Sequence, residues 1–373
     1  MEFQNLSKSN APYMDALVEA AARVVRSGRY INGPEVGAFE KALCRLTGAP
    51  CCVACSTGLD ALRLILLAYM EMGRLREGDE VIVPANTFIA TFLAVTQCGL
   101  TAVAADVEES MFCLDMHRLP LSGRTRAIIP VHLYGNPCWD ADLFRSLHEK
   151  GILIIEDAAQ AIGARTAQDG LHGLRAAGTL GDAAAISFYP AKNVGALGDA
   201  GAVLTADVCL ADTVRRLANY GAEEKYRHVS RGLNCRMDEI QAAMLSVKLP
   251  HVAEITERRS ATARLYDCLI TNPEVKKPRI FTDGSRQAWH QYVIRHPRRD
   301  ELRKYLADNG VGTEIHYPVA CHLQPCYSGS RQLIAPSPLP VAERLAGEIL
   351  SLPIADASPE EVETVSNLIN AFT

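Results

Sequence analysis

The chain has 373 residues, 48% of them apolar, a formal net charge of −5 and a pI near 6.1. That length exceeds what one hydrophobic core usually organises and is ample for two, and the mildly acidic balance leaves no basic footprint for nucleic acid. The opening Met1 to Asn10 is polar and lacks the apolar run of a secretory signal.

Leu17, Ala20, Ala21, Val24 and Val25 recur at helical spacing and stop at Ser27-Gly28, which predicts an amphipathic helix closed by a glycine. Tyr30 to Glu35 reads as a turn. Short apolar runs then alternate with helical patterns: Cys51 to Cys55, then Asp60 to Tyr69; Glu80 to Val83, then Ile89 to Gln97; Ala102 to Ala105; Ala127 to His132, then Trp139 to Lys150; Ile152 to Ile155; Ala183 to Phe188; Ala202 to Thr205. This rhythm predicts an α/β fold with a largely parallel sheet covered by helices. Ligands of such sheets bind at the carboxyl ends of the strands, where Ser56, Asn86, His132, Asp157 and Ser187 fall. From Asp238 the pattern turns helical through Ile240, Ala243, Met244 and Val247, breaks at Pro250 and resumes toward Tyr266. A smaller C-terminal domain is expected from there, dividing the chain into 1–249 and 250–373. Its predicted content is a strand at Trp289 to Ile294, a helix at Asp300 to Asn309, a strand at Thr313 to His316, and helices at Val341 to Glu348 and Pro359 to Ala371. Asp169 to Ala177 and Tyr327 to Pro340 read as the most linker-like stretches.

Val81 to Ala105 carries no charge and has the length of a membrane span. Pro84, Asn86, Thr87, Gln97 and Gly99 divide it instead into strand, loop, helix and strand, so no membrane partner is expected. Twelve cysteines, scattered from Cys44 to Cys326 without an export signal, read as reduced thiols of a cytoplasmic protein. Cys52 and Cys55 form a CxxC in a strand-like run with no second pair at metal-site spacing, so no metal site is expected.

The most informative residue is Lys192, presented after an apolar strand in Ser187-Phe188-Tyr189-Pro190-Ala191-Lys192-Asn193 and followed by the glycine-rich Gly195 to Gly201. Glu156-Asp157-Ala158-Ala159-Gln160 sets a carboxylate at another strand tip. A lysine there can form a Schiff base, and an aspartate can keep a pyridine nitrogen protonated; together they point to pyridoxal phosphate. Alone, Lys192 reads as a solvated charge and Asp157 as a helix cap. Thr57-Gly58-Leu59, between a strand and a helix, offers backbone amides suited to a phosphate or makes an ordinary turn.

Gly33-Pro34-Glu35-Val36, Ser56 to Leu62, Pro84-Ala85-Asn86-Thr87-Phe88, His132-Leu133-Tyr134-Gly135, Glu156 to Gln160, Ser187 to Asn193, Asn234 to Ala243 and His316-Tyr317-Pro318 follow one another in an order that covers nearly the whole chain. In this the chain resembles the DegT/DnrJ/EryC1/StrS family, fold-type-I pyridoxal-phosphate aminotransferases of nucleotide-linked keto-sugars. The resemblance implies a mostly parallel central sheet flanked by helices with a smaller C-terminal α+β domain. It implies Lys192 and Asp157 as catalytic residues, with Gly58, Leu59, Ser187 and Asn234 at the cofactor phosphate, Phe88 on the ring face and Gln160 near the phenolic oxygen. Asn234 would reach the neighbouring subunit's phosphate, making a homodimer with shared sites; by itself it reads as a helix cap. His316 and Tyr317 would stand near the substrate mouth or pack a strand end. Two departures, Ala191 for a frequent glycine and Cys235 for a commoner serine, remove no required functional group.

The implied cycle takes the amine of L-glutamate and places it on a keto-sugar nucleotide. Asn219 to His228 resembles the branch acting on dTDP-3-keto-6-deoxyhexoses more than the 4-keto branch, which commonly carries a histidine-glycine pair here. Tyr220 and Lys225, with Arg227 and Arg231, are candidates for the substrate, although clustered charges usually form a solvated face. A related pyridoxamine-dependent dehydratase carries histidine in place of the lysine, a cysteine desulfurase needs a mobile catalytic cysteine, and a non-enzymatic regulator predicts a degraded site or an added DNA-binding module. None of these features is present.

Overall fold

The computed structural model describes residues 1–167, 173–336 and 338–373. At its centre lies an eight-stranded sheet, with strands numbered along the chain and ordered in space as β1 (Cys51–Cys55), β9 (Gly201–Thr205), β8 (Ala183–Ser187), β5 (Leu153–Asp157), β4 (Thr125–Ile128), β2 (Glu80–Pro84), β3 (Thr101–Ala105) and β13 (Leu333–Ile334). Every neighbouring pair is parallel except those of β9, which runs antiparallel to both β1 and β8. Two reversals leave β1 parallel to β8. The carboxyl ends of β1, β2, β5 and β8 therefore share one edge of the sheet.

Alternation of side chains across the strands explains why the sheet is covered on both faces. Val53 and Cys55 of β1, Ala183 and Ala185 of β8, and Val203 of β9 enter one apolar cluster with α4 (Gly58–Glu71), α5 (Ile89–Gln97), α6 (Ala141–Glu149) and α7 (Val208–Ala218). Their neighbours Cys52, Ala54, Ala184, Ile186, Ala202 and Leu204 enter a second, with α3 (Pro34–Thr47), α8 (Glu239–Lys248) and the first turns of α9 (Val252–Leu269). The amphipathic α2 (Met14–Ser27) packs on α8 and ends at Gly28 with φ 64°, as its pattern predicts. A third cluster joins the far half of α9 to α10 (Arg299–Asp308), α12 (Pro359–Ala371) and the antiparallel pair β12 (Tyr292–Arg295) and β14 (Ile349–Leu352). One helix, α9, thus spans the second and third clusters. The short α1 (Leu6–Asn10), α11 (Pro340–Glu348), and the ladders β6 (Arg165–Ala167) with β7 (Leu174–Ala176) and β10 (Ala222–Glu224) with β11 (Arg227–His228) complete the named elements.

Four expectations need correction. The strand expected from Trp289 begins only at Tyr292, because Trp289 turns with φ 47°. Thr313 to His316 makes a single bridge, Glu314 to Ser351, rather than a strand. The linker-like Tyr327 to Pro340 contributes the edge strand β13, secured where Gln332 Nε2 donates to the Thr96 carbonyl at 2.9 Å. Within the other linker-like stretch, residues 169–172 lie outside the described residues, and Leu174–Ala176 pairs as β7.

The Gly33-Pro34-Glu35-Val36 motif acquires a physical reason from Glu239. Its carboxylate, 1% exposed, accepts the N–H groups of Gly33, Glu35 and Val36 at 2.9, 2.8 and 2.9 Å. An anion at a helix N-terminus is favoured, and a Cβ on Gly33 would stand 2.6 Å from Glu239 Oε2. Glu239→Ala should strand these donors and lower stability by roughly 2–4 kcal/mol, seen as an earlier midpoint in urea unfolding. Glu239→Gln, which keeps an acceptor oxygen, should fall between the two.

Candidate active site

At the shared edge of the sheet opens a cavity of about 580 Å³, lined by Gly58, Leu59, Phe88, Asp157, Gln160, Ser187, Lys192, His316 and Tyr317 among others. Nine of the predicted site residues thus meet in one place.

β5 ends in two consecutive carboxylates that strand alternation sends to opposite faces. Glu156, fully buried, accepts the N–H groups of Gly178, Leu180 and Gly181, each at 2.7 Å, and contacts His132 Nε2 at 2.8 Å. His132 Nδ1 accepts the Cys138 N–H at 2.9 Å, so Nε2 carries the proton given to Glu156. This carboxylate is a fastener. Asp157 faces the cavity; Thr91 Oγ1 donates to its Oδ2 at 2.8 Å and the Ala159 N–H to its Oδ1 at 3.2 Å. No helix starts at Asp157, which removes the capping alternative, and Gln160 lies on a turn rather than a helix. Gln160 is buried, accepts the Tyr134 N–H at 2.6 Å and donates from Nε2 to the Tyr317 hydroxyl at 3.1 Å.

Lys192 sits on a tight loop whose close is set by the Lys192 N–H to Tyr189 carbonyl bond at 2.8 Å. Gly195 is required there, since a Cβ would fall 2.1 Å from the Pro190 carbonyl oxygen. Burial lowers the Lys192 pKa to about 8, partly opposed by the negative charge of Asp157. Beside it, His290 is held well below the usual histidine range by burial and by the positive charges of Lys192 and Arg259. Asn193 Nδ2 donates to the Ala288 carbonyl at 2.7 Å, so its Oδ1 must be the acceptor for His290 Nδ1 at 3.1 Å.

A lip faces the lysine. β9 starts between the ends of β1 and β8, with Gly201 in register with both Cys55 and Ser187. A Cβ on Gly201 would lie 2.3 Å from the Thr57 carbonyl carbon, and one on Gly58 would lie 2.7 Å from Ser187 Cβ. Thr57 Oγ1 is spent as the cap of α4, accepting the Asp60 N–H at 2.9 Å. The first-turn N–H groups of Gly58 and Leu59 have no intrahelical acceptor and meet the cavity beside Ser187. Backbone donors, a helix N-terminus and a hydroxyl form a cradle that fits a phosphate.

Phe88 is 53% exposed at the cavity rather than packed in the core, its ring 5.4 Å from that of Tyr317. His316 Nδ1 contacts Ser351 Oγ at 2.7 Å, its carbonyl accepts the Tyr134 hydroxyl, and burial with the Lys192 charge lowers its pKa to about 4. Burial raises the Tyr317 phenol.

Asn234, Tyr220 and Lys225 do not join this cavity. They belong to an exposed arm around β10 and β11, where Asn234 bridges Asn219, the Arg236 guanidinium lies 5.2 Å over the Tyr220 ring and Lys225 Nζ lies 5.2 Å over Tyr226. Asn234 is not a helix cap, because α8 is capped at Asp238. Ser56 donates to Asp60 at 2.6 Å, and neither it, Asn86 nor His132 lines the cavity. Sequence reasoning missed His290, Phe3 and Gln4, which do line it. Phe3 and Gln4 lie in a polar opening stretch and His290 before a strand, and no spacing ties them to the other motifs.

This arrangement on this sheet is that of the fold-type-I pyridoxal-phosphate-dependent transferases. Residues 14–370 match the profile of the DegT/DnrJ/EryC1/StrS aminotransferase family, and the chain belongs to that family. It is 45% identical over 340 residues, 90% of this chain and 89% of the relative, to the "Erythromycin biosynthesis sensory transduction protein EryC1" of Saccharopolyspora erythraea. It is 40% identical over 374 residues, 99% of each, to the "dTDP-3-amino-3,6-dideoxy-alpha-D-galactopyranose transaminase" of Aneurinibacillus thermoaerophilus. The crystal structure of S. venezuelae DesV in complex with a ketimine intermediate superposes with a TM-score of 0.91 at 40% identity, covering 99% of this chain and 97% of that one. The protein is a sugar aminotransferase, and the family implies pyridoxal phosphate as its cofactor.

In cofactor-free protein, labelling of the Lys192 amine by trinitrobenzenesulfonate should rise with a midpoint near pH 8, against about 10.4 for a free lysine. Because the Asp157 charge raises this pKa, Asp157→Asn should move the midpoint lower still. A midpoint unmoved or raised by that substitution would contradict the electrostatic assignment.

Proposed function

We propose that the chain transfers the amino group of L-glutamate to C3 of a dTDP-linked 3-keto-6-deoxyhexose, with Lys192 as the lysine that carries pyridoxal phosphate. The observation that carries this reading is the desolvated Lys192 amine, held near pKa 8 in a cavity it shares with the Asp157 carboxylate. When bound, the cofactor supplies a protonated pyridine ring that withdraws electrons from a carbon losing a proton. Asp157, fixed by Thr91 and Ala159, holds the proton on the ring nitrogen. The Gly58 and Leu59 amides with the Ser187 hydroxyl would hold the phosphate, Phe88 would cover the ring, and Gln160 would hold the phenolic oxygen. As a free base the Lys192 amine would take the α-proton of glutamate in the first half and would supply a proton to the sugar carbon that receives the amine in the second. An amine titrating near 8 does so at neutral pH far more readily than an ordinary lysine. His316, neutral with its pKa near 4, and Tyr317 orient the substrate at the mouth.

Position C3 is supported by the Asn219 to His228 segment and by the name of the Aneurinibacillus relative. We further infer a cytoplasmic homodimer in which Asn234, Tyr220 and Lys225 of the exposed arm complete the partner's site. All twelve cysteines are free thiols, as a reducing compartment would keep them. Among the described residues, no helix is long and apolar enough to cross a membrane. The division into 1–249 and 250–373 is supported by the third apolar cluster, drawn from residues beyond 262 apart from the partly buried Met1 at its edge.

Borohydride reduction of cofactor-loaded protein, followed by peptide mapping, should label Lys192, and Lys192→Ala should lose at least about 100-fold in turnover. A label on another lysine would sink the assignment. Assayed with L-glutamate on dTDP- and UDP-linked 3-keto and 4-keto sugars, the protein should prefer the dTDP 3-keto substrate; turnover confined to 4-keto sugars would move amination to C4.

Chains carrying Lys192→Ala and Asn234→Ala should each be nearly inactive alone. Mixed, they should recover about half of the wild-type activity per mixed dimer, since one site then carries both defects and the other neither. No recovery, with subunit exchange verified, would return Asn234 to a role within its own chain.

A further inference from the structure

Four rings form an unbroken run along one wall of the cavity: Phe88 to Tyr317 at 5.4 Å between centroids, Tyr317 to His316 at 5.5 Å and His316 to Phe3 at 5.8 Å. The last ring comes from the other end of the chain. Its position is built rather than incidental. The Gly312 N–H donates to the Met1 carbonyl at 2.9 Å, and a Cβ on Gly312 would stand 2.9 Å from the Phe3 nitrogen. Gln4 Nε2 donates at 3.1 Å to the carbonyl of Ala191, the residue before Lys192. Asn5 then caps α1, which Ser9 Oγ anchors to Asp356 at 2.5 Å. Residues 1–5 thus strap the Gly312 to His316 segment to the lysine loop, and both Phe3 and Gln4 line the cavity.

The charges decide what this wall can accept. His316 is neutral, its pKa lowered to about 4. Glu314, which also lines the cavity, ion-pairs with Arg303 only at 3.8 Å. The wall thus offers a diphosphate no cation of its own, and its aromatic rings suit an uncharged ring, which gains by stacking.

We propose that Phe3, positioned by Gly312 and Gln4, is a specificity-determining residue that stacks on an uncharged ring of the nucleotide-sugar substrate, either the sugar or the base. This rests on the nucleotide-sugar reading above. Steady-state kinetics of the cofactor-loaded enzyme, together with calorimetric binding of dTDP, test it. Phe3→Ala should raise KM for the nucleotide sugar about tenfold, the size of one lost aromatic stack, with kcat and the KM for glutamate unchanged. Phe3→Tyr should retain wild-type values, and Gly312→Ala, which displaces the Phe3 backbone, should follow Phe3→Ala. A parallel loss of dTDP affinity in Phe3→Ala identifies the base as the stacked ring; unchanged dTDP affinity identifies the sugar. An unchanged KM for the nucleotide sugar, or an equal rise for glutamate, overturns the proposal. Failure of the wild-type enzyme to aminate any keto-sugar nucleotide overturns the functional reading itself, and this inference with it.

Discussion

Burying the amine of Lys192 takes from its ammonium form the water that would stabilise it, and the single carboxylate of Asp157 restores only part of that loss, so the group titrates near 8. The rest of the cavity follows from keeping this balance. Thr91 and Ala159 hold the carboxylate still and the loop closed at Gly195 holds the lysine, so the distance over which Asp157 acts on the Lys192 amine is fixed from both sides. Rigid preorganisation of this kind is how a lysine acts as a base near neutral pH.

Much of the surrounding sequence serves as fastening. Glu156 and Glu239 are buried carboxylates that each accept three backbone N–H groups, with His132 as a fourth partner of Glu156. One ties the turn after β7 to β5; the other ties α3 to α8. A buried carboxylate is tolerated when hydrogen-bond donors surround it, and each of these joins segments distant in sequence. The His132 to Gly135 motif works similarly, its Tyr134 contacting Gln160, His290 and His316 through backbone and hydroxyl.

The strands and helices of the large sheet were legible because their apolar runs are local and continuous, as at Glu80–Pro84, where all five residues are buried. The lysine, its aspartate and the Thr57-Gly58-Leu59 turn were legible because each ends or closely follows an apolar strand. What could not be read depends on tertiary contact. Trp289 turns because the Arg259 guanidinium holds its carbonyl and that of His290. Nothing in the composition of Tyr327 to Pro340 signals that Leu333 and Ile334 will find β3. Phe3 and His290 reach the cavity from sequence positions that share no period with it. Asn234 and Lys225 are exposed and do not line the cavity of their own chain.

The two sides of the cavity are made of different material. At the lip a carbon added to Gly201 collides with the Thr57 backbone and one added to Gly58 collides with Ser187, so substitution of either glycine has nowhere to go. Another wall is an assembly of side chains drawn from residues 3, 88, 316 and 317, and its outermost ring, Phe3, belongs to the opening strap and to no strand of the sheet. A change of that one ring would alter the rim of the cavity while leaving Lys192, Asp157 and the sheet where they are, so the part that meets an entering molecule is separable from the part that holds the charges.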